Sequence, residues 1–241
     1  MKVAFITGGN RGIGLETAKE LGKQGHTVVL GVRDPRKAEE ALGALRGAGV
    51  TAEAILWDAT RKETDASAAA HLERTYGKLD VLVNNAGVLK EELGGKSVLA
   101  GSEAELEETF AVNFFAVVRL TRALVPLLEK SEAGRIVNLS SILGSLGVHS
   151  QPDSPIASAK AFAYNASKTA LNAFTVHLAD ALSGTKIKVN SAHPGWVQTE
   201  LGGPGAPEPL EGSARTSARL ATLGADGPTG GFFYQDQPLP W

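Results

Sequence analysis

Short apolar runs rich in β-branched residues recur along this chain, each separated from the next by a stretch with helical periodicity: Val3–Thr7, Thr27–Val32, Ala54–Trp57, Val81–Val83, Arg135–Leu139, Ile187–Ala192 and Phe232–Tyr234. This alternation is the pattern of βαβ units, and nothing else in the sequence constrains the fold as strongly. The runs are nearly continuous in hydrophobicity, which suits parallel strands covered by helices on both faces. The expected architecture is α/β, a doubly wound parallel sheet of about seven strands. No internal repeat, low-complexity tract or linker divides the 241 residues, so residues 1–241 read as one domain.

Helix starts follow from capping residues. Asp34 before Pro35 reads as N-cap and first helical residue of a helix through Ala48. Thr60 with Glu63, and Ser102 with Glu105, fit the S/T-x-x-E capping box, which places helix starts near Arg61 and Glu103. The second helix runs toward Ser131, with Pro126 as a kink or boundary.

The charge balance, 24 Lys+Arg against 26 Asp+Glu, leaves a formal net charge of −2 and no electrostatic case for nucleic-acid binding. With no cysteine, disulfides, Cys-ligated zinc and thiol nucleophiles drop out. His26, His71, His149, His177 and His193 form no H-E-x-x-H pair, no G-x-S-x-G elbow occurs, and no metal is expected. The N-terminal apolar window is too short for a signal-peptide core, and no run of about 18 apolar residues suggests a membrane span. A cytoplasmic protein without nucleic-acid or membrane partners is the expectation.

Directly after the first apolar run stands Thr7-Gly8-Gly9-Asn10-Arg11-Gly12-Ile13-Gly14, leading into the periodic Leu15–Leu21. Strand, glycine turn and helix in that order let the backbone approach a pyrophosphate, whose charge faces open N–H groups and the positive end of the helix dipole. Gly8, Asn10, Arg11, Gly12, Ile13 and Gly14 are the candidate residues. The spacing is G-x-x-x-G-x-G, not G-x-G-x-x-G. Gly94-Gly95-Lys96-Ser97 resembles the end of a P-loop, but Lys90 occupies the position of the required first glycine.

In dinucleotide folds an acidic residue after the second strand holds the NAD ribose hydroxyls. Here Val32 closes that strand and Arg33 follows, while Asp34 is committed to capping. Arg33, with Arg11 as a second guanidinium, suits a 2′-phosphate and points to NADPH/NADP+. Asp58, ahead of Thr60, has two readings, an acceptor for the adenine amino group or a turn residue.

Tyr164 and Lys168 stand four apart in Tyr-Asn-Ala-Ser-Lys, on one face of a helix continuing through Ala181. Asn84-Asn85-Ala86-Gly87 follows a strand, Asn113 lies within the long helix, Asn138-Leu139-Ser140-Ser141 ends a strand, and Pro194-Gly195-Trp196-Val197-Gln198-Thr199 follows another.

With TGGNRGIG, NNAG, NLSS, YNASK and HPGWVQT in that order over most of its length, the sequence resembles the short-chain dehydrogenase/reductase family, whose fold is Rossmann-like. HPGWVQTEL and the closing GPTGGFFYQDQPLPW are similar to NADPH-dependent carbonyl reductases of that family. The resemblance implies reduction of a ketone or aldehyde to an alcohol, reversibly, on a small-molecule substrate. It makes Tyr164 the general acid, has Ser141 bond the carbonyl oxygen and Lys168 the nicotinamide ribose, and has Asn113 hold a water linking Lys168 to solvent. Ser140 matches the motif less well than Ser141. Asn85, Ala86 and Gly87 would flank the adenosine side, and Pro194, Gly195, Val197 and Thr199 would contact the cofactor, Thr199 at its carboxamide. A free tyrosine titrates near 10, and a neighbouring ammonium plus oxidised nicotinamide would lower that value toward neutrality. The other activities weighed are a 3-oxoacyl-thioester reductase, which needs a basic patch for its carrier, and a catalytically silent NADP-sensing protein.

Two segments have open readings. Gly202–Gly212, rich in Gly and Pro, lies within a proposed substrate loop near 200–218 and is either mobile over a site or a plain connection. The stretch between Ser141 and Tyr164 is about ten residues longer than in compact family members, and its Ser150–Pro155 run is turn-forming. It either walls the substrate pocket or blocks a helix-packing dimer interface, which leaves monomer and homo-oligomer both open.

Overall fold

β1 (Lys2–Thr7) is buried from Val3 onward and pairs in parallel with both β2 (His26–Val32) and β4 (Val81–Asn84). The chain reaches β4 only after laying down β3 (Ala52–Leu56) on the outer side of β2, then continues through β5 (Arg135–Leu139), β6 (Lys188–His193) and β7 (Phe232–Tyr234) in the opposite direction across the sheet. The order β3-β2-β1-β4-β5-β6-β7, extended at its far edge by a two-residue eighth strand, therefore switches direction beside β1, and ligands in such sheets bind in the crevice beyond the strand C-termini at that switch. This is a Rossmann-like α/β domain, seen in a computed structural model that describes every residue except Lys96 and, beyond its backbone, Pro35. The Gly94–Ser97 segment set aside as a P-loop contains Lys96, which lies outside the described residues.

The seven expected strands are present with ends shifted by at most two residues. An eighth, β8 (Gln237–Pro238), pairs antiparallel with β7 and was too short to show a period. The helices α1 (Gly12–Lys23), α2 (Glu39–Gly47) and α8 (Arg215–Ala221) supply one core through Leu21, Leu45 and Leu220 against Ile6, Leu30 and Val83. On the other face α3 (Glu63–Tyr76), α5 (Ala116–Glu129) and α7 (Phe162–Ala181) pack Leu72, Leu120, Leu124, Leu128 and Ala179 against Phe5, Leu82 and Ile136.

Three helix expectations need correction. Pro35–Ala38 forms a 3₁₀ turn before α2, although Asp34 caps it as expected, its Oδ1 accepting from Arg36 N–H at 3.1 Å. The box at Thr60 does not form: Asp58 Oδ1 takes both the N–H and the hydroxyl of Thr60, at 2.9 and 2.8 Å, and α3 starts at Glu63. Of the two readings of Pro126, the boundary is not realised, since it lies inside α5, which continues to Glu129. The box at Ser102 is present, Ser102 N–H donating to Glu105 Oε2 at 3.4 Å, and opens α4 (Glu103–Phe110).

Between α4 and α5 the helix widens into a π turn, Ala111–Phe115, centred on buried Asn113. The combined run Glu103–Glu129 is long and apolar enough to cross a membrane by length and composition. That apolarity has a packing explanation, because Leu120, Leu124, Leu127 and Leu128 belong to the core beneath the sheet. The remaining helix, α6 (Leu146–His149), lies in the long stretch between β5 and α7.

Candidate active site

A cavity of about 820 Å³ opens along the strand C-termini, from Arg33 and Asp58 at one end to Ile156 and Leu210 at the other. Every candidate site residue except Asn113 lines it.

The glycine turn is shaped by backbone that only glycine adopts without strain: φ is 64° at Gly8 and 54° at Gly12. It is clamped from the neighbouring loop. Thr7 Oγ1 accepts from the N–H groups of Asn85 and Ala86, both at 3.0 Å, and Asn85 Nδ2 donates to the carbonyls of Thr7 and Gly8 at 2.8 and 3.2 Å. The Asn85 side chain thus holds the turn itself. Arg11, at the N-cap of α1, is extended and makes no side-chain cap, so the first N–H groups of α1 stay open toward the cavity.

At the end of β2, Arg33 is exposed, lines the cavity and has no hydrogen bond or ion pair among the described residues. Asp34 is engaged twice over by Arg36, which holds its carboxyl below the usual range. Arg11 is ion-paired with Glu200, across the mouth of the cavity. Asp58 lines the cavity while its Oδ1 closes the turn at Thr60, so its turn role is realised.

On the cavity floor stand Ser141, Tyr164 and Lys168, each at least nine-tenths buried. The Ser141 hydroxyl, which accepts from Leu143 N–H at 3.2 Å, lies close enough to the Tyr164 phenol to favour its ionised form. Lys168 Nζ donates to the Leu139 carbonyl at 2.7 Å and lies 5.6 Å from the centre of the Tyr164 ring. Without the nicotinamide, burial pushes the phenol up to about 12, desolvation outweighing the opposing influence of Ser141. The same desolvation pushes the Lys168 ammonium down to about 8. Asn113 reaches this floor from behind. Its Nδ2 donates to Ser167 Oγ at 3.0 Å, and Ser167 Oγ donates to the Tyr164 carbonyl at 2.7 Å. A Cβ on Gly87 would sit 3.4 Å from Asn113 Oδ1 and 3.6 Å from Lys168 Nζ, so that glycine keeps the gap between them open.

The roof is less free than its composition suggests. Val197 and Glu208 form a β-bridge, the Glu208 carboxylate accepts from Trp196 N–H and the Tyr234 hydroxyl, both at 3.2 Å, and Thr199 Oγ1 accepts from Gly202 N–H at 3.0 Å. Of the two readings for the Ser141–Tyr164 stretch, the pocket wall is realised: Pro155, Ile156, Ser158 and Ala159 line the cavity.

Two residues near the chemistry escaped the sequence reading. Glu91 accepts from Tyr164 N–H at 3.0 Å, a contact with no local sequence signal. His193, the first residue of HPGWVQT, carries no role in the sequence reading. It lines the cavity, its Nδ1 accepts from Ile142 N–H at 3.3 Å, and burial pushes it down to about 4, so the ring is neutral.

A nicotinamide dinucleotide fits this site on structural grounds. The uncapped start of α1 lies against positive-φ glycines for a pyrophosphate, and an unpaired guanidinium stands at one end of a long cavity with a buried Tyr–Ser–Lys cluster within it. The fold and this site define a nicotinamide-dependent oxidoreductase, and residues 2–208 match the short chain dehydrogenase family, to which the chain belongs. It is 30% identical to short-chain dehydrogenase/reductase 1 of Saponaria officinalis, over 100% of this chain and 96% of that one. It is also 30% identical to the 3-oxoacyl-(acyl-carrier-protein) reductase FabG of Pseudomonas aeruginosa, over 83% and 75% of the two chains. Among solved structures it is similar to the NADPH-bound carbonyl reductase from chicken fatty liver, with 25% identity, a TM-score of 0.85 and coverage of 100% and 98%.

Proposed function

We propose that this protein is an NADPH-dependent reductase of ketones or aldehydes, acting reversibly on a small uncharged substrate. The observation that carries the reading is the convergence of Ser141, Tyr164 and Lys168, all buried, on the cavity floor. Bound NADPH supplies the hydride. The chain's own residues do the rest. The buried phenol of Tyr164 is protonated at neutral pH, as an acid toward the carbonyl oxygen must be, and Ser141 Oγ donates to that same oxygen. The Lys168 ammonium, fixed by Leu139 O, stabilises the phenolate left when the proton has moved. Asn113 Oδ1 keeps one lone pair, opposite Lys168 across Gly87, for a water that returns the proton from solvent.

Several further roles follow from the cavity. Arg33 and, when released from Glu200, Arg11 take the 2′-phosphate. Pro194, Gly195, Val197 and Thr199 line the nicotinamide end, and the segment 200–218 covers the substrate. The walls there, Leu89, Leu93, Leu143, Ile156, Leu201 and Leu210, are apolar. This favours a ketone or aldehyde over a carrier-borne 3-oxoacyl thioester, because the cavity's two arginines, Arg11 and Arg33, stand on the adenosine side. The likeness to FabG keeps that second reading worth testing.

The test is oxidation of NADPH and NADH with a panel of aldehydes, ketones and a 3-oxoacyl thioester, for the wild type and Tyr164→Phe. NADPH turnover with ketones or aldehydes that falls by a factor of about 10³ in the variant, with cofactor binding retained, supports the reading. Binding without turnover in the wild type would favour a sensor, and absence of binding would overturn the cofactor assignment.

A further inference from the structure

The helix that carries Tyr164 begins without a cap of its own. Its N-cap is Ala161, which has no side-chain acceptor, and Tyr164 is the third residue of the helix, whose N–H a capping side chain normally takes. Glu91, from the loop after β4, supplies the missing acceptor at a sequence distance of 73 residues, with Oε2 at 3.0 Å from that N–H. A carboxylate at this place is favoured twice, by the charge-assisted bond and by the positive end of the dipole of a 20-residue helix.

The segment that presents Glu91 is itself held at several points. Asn113 bonds both backbone groups of Val88, Lys90 pairs with Glu108 at 2.8 Å, and Gly94 N–H donates to the Lys160 carbonyl at 2.8 Å. Glu91 is half-buried between this segment and the first turn of α7. Without its acceptor the first turn of α7 loses the bond to the amide of Tyr164 itself, and the phenol loses its fixed relation to Ser141.

We propose that Glu91 is a positioning residue for the reduction, a cap contributed by a distant loop that holds the first turn of α7, and with it the Tyr164 phenol, in register with Ser141. This inference rests on the reading of Tyr164 as the general acid. Glu91 does not line the cavity, so the loss is expected in kcat and not in cofactor affinity.

The test compares wild type, Glu91→Met, Glu91→Gln, Lys90→Ala and Tyr164→Phe. Each is assayed for kcat, KM and NADPH dissociation constant at a temperature below the lowest melting point of the set. Glu91→Met, of equal reach and without an oxygen acceptor, should lose about tenfold in kcat while its NADPH dissociation constant stays within twofold. Glu91→Gln, whose amide oxygen still accepts from the Tyr164 N–H, should recover to within about threefold of wild type. Lys90→Ala loosens the same segment without touching that amide and should keep wild-type kcat. The proposal is overturned if Glu91→Met turns over like wild type, if Lys90→Ala loses as much, or if the Gln variant shows no recovery. Failure of the underlying reading shows separately, as undiminished turnover in Tyr164→Phe.

Discussion

Asn113 brackets Val88: its Oδ1 accepts from the Val88 N–H at 2.8 Å and its Nδ2 donates to the Val88 carbonyl at 2.9 Å. Asn113 stands at the centre of the π turn Ala111–Phe115, and such turns within α-helices are frequent at functional sites. The same amide reaches Ser167 on α7, so one buried side chain ties the loop after β4 to the helix bearing Tyr164 and Lys168.

Asn113→Ala removes all three bonds and leaves the part-buried Val88 N–H and carbonyl without that partner. An unmade bond of this kind costs about 1–3 kcal/mol, so a drop of about 2–4 kcal/mol in unfolding free energy is expected, together with a loss of at least tenfold in kcat. Urea denaturation and steady-state kinetics on the same samples check both. A variant of unchanged stability would show that the bracket is incidental.

Arg33 lines one end of the cavity without a partner among the described residues, while Asp34 is occupied by Arg36. A charge-assisted bond to a 2′-phosphate contributes about 1.5–3 kcal/mol, so Arg33→Ala should weaken NADPH binding about tenfold or more and leave NADH binding nearly unchanged. Fluorescence titration with both cofactors measures the ratio. Equal losses for the two would remove Arg33 from the phosphate site.

His193 carries a stability consequence with a definite sign. Its value is lowered from 6.5 to about 4, so between those limits the unfolded chain binds the proton more readily than the folded one. Stability from this site is full above about pH 6.5 and falls as the pH drops toward about 4. His193→Asn can retain an acceptor for Ile142 N–H but cannot titrate. From pH 7 to pH 5 the wild type should therefore lose about 1–2 kcal/mol more than the variant. Parallel denaturation curves for the two proteins would refute this.

Much of the site could be read from the chain because its determinants are local. The glycines of the turn, the cap at Asp34 and the spacing of Tyr164 and Lys168 each depend on backbone within a few residues. Hydrophobic runs set the strand positions for the same reason. The order of motifs carried Ser141 and Asn113 into the candidate set, although neither the π turn around Asn113 nor its grip on Val88 has a short-range signature.

The sequence by itself therefore determined the βαβ order, the phosphate turn and the Tyr–Lys face, since these follow from periodicity and near-neighbour sterics. Tertiary structure alone decided that Glu91 caps the helix of Tyr164, that Glu208 pins the roof through Trp196 and Tyr234, and that burial leaves the phenol raised and His193 neutral. Each of these depends on which distant loops meet once the sheet has closed, and on how much water their meeting excludes, and neither quantity is written in any short stretch of chain.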